Sequence, residues 1–146
     1  MELILWRHAD AEEGGSDAQR RLTAEGMRQA ERVAAWLRAR LPPEAVVLAS
    51  PALRARQTAQ ALTERFRTEP AVGTSATPHS VLEAAGWPAA QGAVVVIGHQ
   101  PTLGQTVALA LTGRAADWSL GKGAAWWLAN RGGEIVVRAV ISPDLV

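Results

Sequence analysis

Four of the five residues in Ala93-Val94-Val95-Val96-Ile97 are β-branched, and none is polar. Such side chains are stiff about χ1 and favour extended backbone, and the run is too short for a buried helix. A strand apolar at every position is covered on both faces, which places it inside a parallel sheet with layers above and below. Leu3-Ile4-Leu5-Trp6 and Ala45-Val46-Val47-Leu48-Ala49 are further runs of this kind. All three stop at polar residues: Arg7-His8, Ser50-Pro51 and Gly98-His99.

Between the runs the period becomes helical. Met27, Ala30, Val33, Ala34, Leu37 and Leu41 recur at helical spacing from Thr23, a suitable N-cap, to about Arg40, before Pro42-Pro43. Ser50-Pro51 predicts a second helix, with serine as N-cap and proline at the first helical position, running to about Phe66. Arg67 to Pro78 is turn-rich with a weak edge strand, and a short helix follows from Pro78 to Ala85. Pro101 opens a last helix, to about Leu111. Gly123 to Ala129 and Glu134 to Val140 form a hairpin around Asn130-Arg131-Gly132-Gly133. The fold class is therefore α/β, a three-layer sandwich with a mostly parallel sheet flanked by helices and an antiparallel C-terminal hairpin at its edge. One domain spanning 1–146 suffices.

Composition excludes several classes of function. The 146 residues are 48% hydrophobic and 20% charged, with a formal net charge of +1. That charge is too small to imply nucleic-acid or membrane binding. There is no cysteine, so disulfides, thiolate catalysis and cysteine-held zinc are excluded. No signal peptide or membrane-length apolar run is visible, which makes a cytoplasmic protein the expectation. Lys122 is the only lysine. Arginine dominance beside abundant alanine fits a GC-rich coding bias, so each arginine has to be argued from its position.

Ligands of open α/β sheets bind beyond the carboxyl ends of the strands. Arg7, His8, Ser50 and His99 are delivered to that rim, with Arg54 in the first turn after Ser50-Pro51. Helix N-termini there add backbone N–H groups and a dipole that favours anions. Two histidines and two guanidinium forks suit a dianionic phosphoryl group. No carboxylate cluster suited to a hard metal ion accompanies them, and no cofactor is implied.

These residues carry a family resemblance. Leu5-Trp6-Arg7-His8-Ala9-Asp10-Ala11 resembles the Arg-His-Gly motif of the histidine phosphatase superfamily, the phosphoglycerate-mutase-like fold. Ser50-Pro51-Ala52-Leu53-Arg54-Ala55-Arg56-Gln57-Thr58 resembles its Ser-Pro-x-x-Arg-Ala-x-Gln-Thr signature, and Gly98-His99-Gln100-Pro101 its Gly-His-x-Pro signature. Arg20-Arg21-Leu22-Thr23-Ala24-Glu25-Gly26 resembles the segment that opens the family's first helix. With the short length, the resemblance narrows to SixA-type phosphohistidine phosphatases.

The resemblance implies that His8 is the nucleophile, forming a phosphohistidine intermediate, and that Arg7, Arg54 and His99 bind the phosphoryl oxygens. Arg20 is a further candidate for that pocket. The implied substrate is a histidine-phosphorylated signalling or phosphotransfer protein, reached by a metal-independent monomer with an open site. Rival expectations are a small-molecule or phosphoserine phosphatase on the same fold, and a non-catalytic phosphate-binding module. Ala9 replaces the family glycine, and its methyl is expected to narrow the approach to His8. The general acid is unassigned between Glu83 and Asp10. Imidazole leaves more readily than an alkoxide, so a missing acid favours P–N substrates.

Other residues read as ordinary packing or surface. His79 is expected at the surface, as is Arg56. Trp36, Trp126 and Trp127 are expected in core and rim packing, and Trp6 and Trp118 as candidates for the pocket edge. Gly121-Lys122-Gly123 is not a P-loop: Ala116 stands where its first glycine should be, and Gly123 where Ser or Thr should be.

Overall fold

A computed structural model describes residues 1–146. Six strands form one sheet: β1 (Glu2–Arg7), β2 (Val46–Ala49), β3 (Arg67–Thr68), β4 (Ala93–Gly98), β5 (Ala125–Arg131) and β6 (Glu134–Ile141). Their order is β3-β2-β4-β1-β5-β6. The first four are parallel, β5 runs antiparallel to β1, and β6 antiparallel to β5 at the edge. The four helices are α1 (Ala24–Arg38), α2 (Leu53–Leu62), α3 (Pro78–Ala85) and α4 (Thr102–Thr112). No helix is long and apolar enough to cross a membrane.

The alternation of side chains along β1 and β4 divides the core in two. Ile4, Trp6, Val95 and Ile97 pack with Val33, Ala34 and Leu37 of α1 and Ala55 and Ala59 of α2. Leu3, Leu5, Val94 and Val96 pack with Val81 and Ala85 of α3 and Leu103 and Val107 of α4. This is the expected three-layer sandwich, with β4 buried at every residue.

Local outcomes differ from the sequence reading at several points. Helix α2 starts at Leu53, and Ser50 does not cap it. The Ser50 oxygen instead accepts from the Ala52 N–H and faces His99. The same helix ends at Leu62, short of Phe66, where Thr63 turns extended and Arg38 donates to the Ala61 and Leu62 carbonyls. Helix α4 starts at Thr102 after Pro101, and the Gln100-Pro101 peptide is cis. Met27 lies exposed although it shares the spacing of the buried face of α1. The hairpin turn is tighter than expected, because Asn130 and Arg131 pair within β5 and only Gly132 and Gly133 turn, both at positive φ.

Trp6 is fully buried and donates its indole N–H to the Gly123 carbonyl, so it does not edge the pocket. Trp118 does not line the pocket either, and stacks at a tilt on Trp126. Trp36 and Trp127 meet edge to face beneath the first core layer, as packing residues.

Candidate active site

The parallel register of β1 and β4 pairs Arg7 with Gly98. Each strand thus releases its next residue, His8 or His99, at the same level of the sheet. The His8 N–H still bonds to the Gly98 carbonyl, and the two imidazole centroids lie 5.2 Å apart. Neighbouring β2 ends at Ala49, and the Ser50 N–H bonds to the Ile97 carbonyl. Arg54 reaches inward from the first turn of α2 and is 4% exposed.

The histidine tautomers follow from their bonds. His8 Nδ1 lies 2.7 Å from the Ala9 carbonyl, which can only accept, so Nδ1 carries the proton. The bare Nε2 faces the pocket and accepts from Arg54 Nε at 3.3 Å. His99 Nδ1 faces Arg54 Nη2 at 3.4 Å, so its proton sits on Nε2 and is donated to the Ser50 oxygen at 2.7 Å.

Burial and nearby cations favour neutral rings. Desolvation pushes the His8 pKa down to about 3, opposed by the Ala9 carbonyl and aided by smaller effects of His99, Arg54 and Arg7. Desolvation and Arg54 push His99 down to about 4. Arg7 donates from Nη1 to the Leu120 carbonyl at 2.8 Å, while its buried Nε has no partner. Burial holds the Arg7 guanidinium below its ordinary pKa. The half-buried Arg7 and the buried Arg54 line one pocket, and two guanidinium groups there suit an anion.

The pocket around these groups has a volume of about 390 Å³. Arg7, His8, Arg54, His99 and Arg20 all line it. The Arg20 guanidinium donates to Asp17 Oδ1 at 3.2 Å and to the Glu12 carbonyl at 3.1 Å. Lys122, Asp17, Glu13, Gln100 and Thr74 complete the polar wall, and none was among the candidates from sequence. Lys122 is held there because Gly123 bonds through its N–H to the His8 carbonyl and through its carbonyl to Trp6. Its loop contributes to the pocket without being a P-loop. No group of three metal-ligating side chains is present.

Neither candidate acid is placed to act. The Asp10 carboxylate accepts from Lys122 Nζ at 2.7 Å and from the Thr23 hydroxyl at 2.8 Å, and these bonds hold its pKa below the usual range. Glu83 lies on the exposed face of α3, away from the pocket lining. Ala9 does not narrow the approach. It is fully buried with Ala11, Leu22 and Ala30, and its N–H bonds to Thr58 Oγ1 at 3.1 Å. His79 is exposed, as expected.

Comparison with known proteins agrees with this geometry. Residues 3–74 match the histidine phosphatase superfamily (branch 1). An uncharacterised protein of Picosynechococcus sp. strain PCC 7002 is 36% identical over 115 residues, covering 72% of this chain and 70% of the relative. A solved structure assigned as phosphohistidine phosphatase SixA, from Nakamurella multipartitia, is 31% identical, with a TM-score of 0.73 over 97% of this chain and 95% of the other. The protein histidine phosphatase SixA complexed with tungstate superposes with a TM-score of 0.80 at 25% identity over 99% of both chains. The chain belongs to the histidine phosphatase superfamily and is a phosphatase. Within that superfamily it is of the SixA type.

Proposed function

We propose that this phosphatase hydrolyses phosphohistidine on a protein substrate, with His8 as the nucleophile. The observation that carries this reading is the His8 tautomer. Its Nδ1–H is tied to the Ala9 carbonyl, and the bare Nε2 faces a pocket lined by the buried Arg54 and the half-buried Arg7. A neutral imidazole at neutral pH is a competent nucleophile.

In the first step Nε2 bonds to phosphorus as the P–N bond of the substrate breaks. The leaving imidazole takes the electron pair. When its other ring nitrogen is already protonated it departs neutral, and no acid from the enzyme is required. In the second step water attacks the phosphorus, releases inorganic phosphate and returns His8. Arg7 and Arg54 hold the equatorial oxygens. Burial and Arg54 keep the His99 ring neutral, but an arriving dianion reverses the sign of the local field and raises its pKa. His99 then takes up a proton on Nδ1 and becomes a further donor to the phosphoryl group.

The carboxylates of the site support a P–N substrate. Arg54 holds the Asp17 pKa below the usual range, and Lys122 does the same for Asp10, so both are ionised at neutral pH and have no proton to give. The tungstate bound by the SixA relative is a tetrahedral oxyanion of the shape this pocket would accept.

The test is to react the enzyme with a histidine-phosphorylated protein, quench without acid and map the phosphate. Label is expected on His8. His8→Ala should lose turnover by a factor on the order of 10⁴ or more. Phosphate on another residue overturns the mechanism. Faster hydrolysis of phosphate monoesters than of phosphohistidine overturns the substrate.

A further inference from the structure

Arg54 is occupied before any substrate arrives. Its Nη1 donates to the Asp17 backbone carbonyl at 2.8 Å, and its Nη2 lies 3.3 Å from Asp17 Oδ2. The same guanidinium faces both histidines. Asp17 therefore holds the fork that an incoming phosphoryl group would use. The other Asp17 oxygen is held by Arg20, which belongs to the same loop.

The loop carrying Asp17 is lightly anchored. An isolated bridge between Ala11 and Leu22 closes its base. The single helical turn Asp17–Gln19 has no buried residue. Gly14 and Gly15 precede it at positive φ, with open space around both. The Asp17 side chain is 63% exposed while that of Arg54 is 5% exposed. When a dianion enters, the buried cation stays and the exposed anion on the lightly held loop yields. Arg20 provides a second cation for the displaced carboxylate.

We propose that Asp17 is a specificity-determining residue: a resident anion that competes with ligands for Arg54. Singly charged anions displace it poorly, and the same competition lowers the affinity for phosphoryl dianions, the product phosphate included. This rests on the reading that Arg54 binds the phosphoryl group.

Removing one charge a few ångströms from a partly exposed site changes anion affinity by about tenfold. The experiment measures the affinity of inorganic phosphate for wild type, Asp17→Asn, Asp17→Ser and Arg54→Ala, together with kcat on a phosphohistidine protein. Both Asp17 variants are expected to bind phosphate about tenfold more tightly and to show stronger product inhibition. Arg54→Ala is expected to bind phosphate much more weakly than wild type. Unchanged or weaker phosphate binding in the Asp17 variants overturns the inference. So does a large fall in kcat without tighter phosphate binding, which would make Asp17 a proton acceptor for water instead. Phosphate binding insensitive to Arg54→Ala would overturn the underlying reading of the site.

Discussion

Neutral His99 keeps its proton on Nε2 because the Ser50 oxygen accepts it while Nδ1 faces the Arg54 guanidinium. Ser50 is fully buried, and its oxygen also accepts from the Ala52 N–H. Ser50→Ala would leave a buried ring N–H without an acceptor, at a cost of about 1–3 kcal/mol. It would also release the ring to turn away from the pocket. Turnover is expected to fall by up to about a hundredfold, with the pH profile altered, and Ser50→Thr should restore both. A purely structural role for Ser50 would lower the melting temperature of Ser50→Ala and leave the pH profile of kcat unmoved. The pocket residues legible in sequence were those with imidazole or guanidinium side chains at strand and helix ends: Arg7, His8, Arg54 and His99. Ser50 was legible as a cap and as a rim residue, but its bond to His99 was not. A serine before proline satisfies the capping pattern equally well, and nothing along the chain tells that His99, 49 residues away, lies opposite it.

Helix α1 explains a glycine that a helical pattern would not choose. A Cβ on Gly26 would lie 2.0 Å from the Asp10 carbonyl oxygen, so the first turn of α1 crosses the segment just after His8. That crossing fixes Asp10. Its carbonyl accepts from the Thr23 N–H, its own N–H donates to Gln29, and its carboxylate faces Thr23 and Lys122. Gly26→Ala is expected to destabilise the protein by about 3 kcal/mol or more, since backbone cannot give way as a flexible side chain does. It should also lower kcat by shifting His8. Urea unfolding read alongside turnover checks this, and a neutral substitution would show that α1 and β1 are not locked together. Helix existence and type were legible from periodicity, while helix ends were less so. Helix α2 stops at Leu62 because Arg38 from α1 takes up its last carbonyls, a contact between elements that no local pattern contains.

The whole molecule carries a pH dependence that originates at the site. In the folded state His8 and His99 sit at about 3 and 4, against an ordinary value of 6.5. Between pH 6.5 and about 4 the unfolded chain binds more protons than the folded one, so stability rises with pH across that window. It is fully present above 6.5 and is lost as pH falls toward the folded values. Urea midpoints are expected to drop steadily between pH 7 and 4, and saturating phosphate should flatten the slope by raising both pKa values. His8→Asn and His99→Asn should flatten it as well. A slope unchanged in both variants would place the acid sensitivity elsewhere.

The layers of the fold and the ionisable groups on its rim are already written along the chain. Continuous apolar runs can only be strands covered on both faces, as β4 is, and the residues that end them must stand on the carboxyl rim. What the tertiary structure alone decided is how those groups are poised. The proton on His8, the charge on His99, the carbonyl and carboxylate of Asp17 on Arg54, and the direction of the Ala9 methyl all depend on neighbours from distant segments. Hydrogen bonds and desolvation act through space over a few ångströms, and separation along the chain carries no record of that distance.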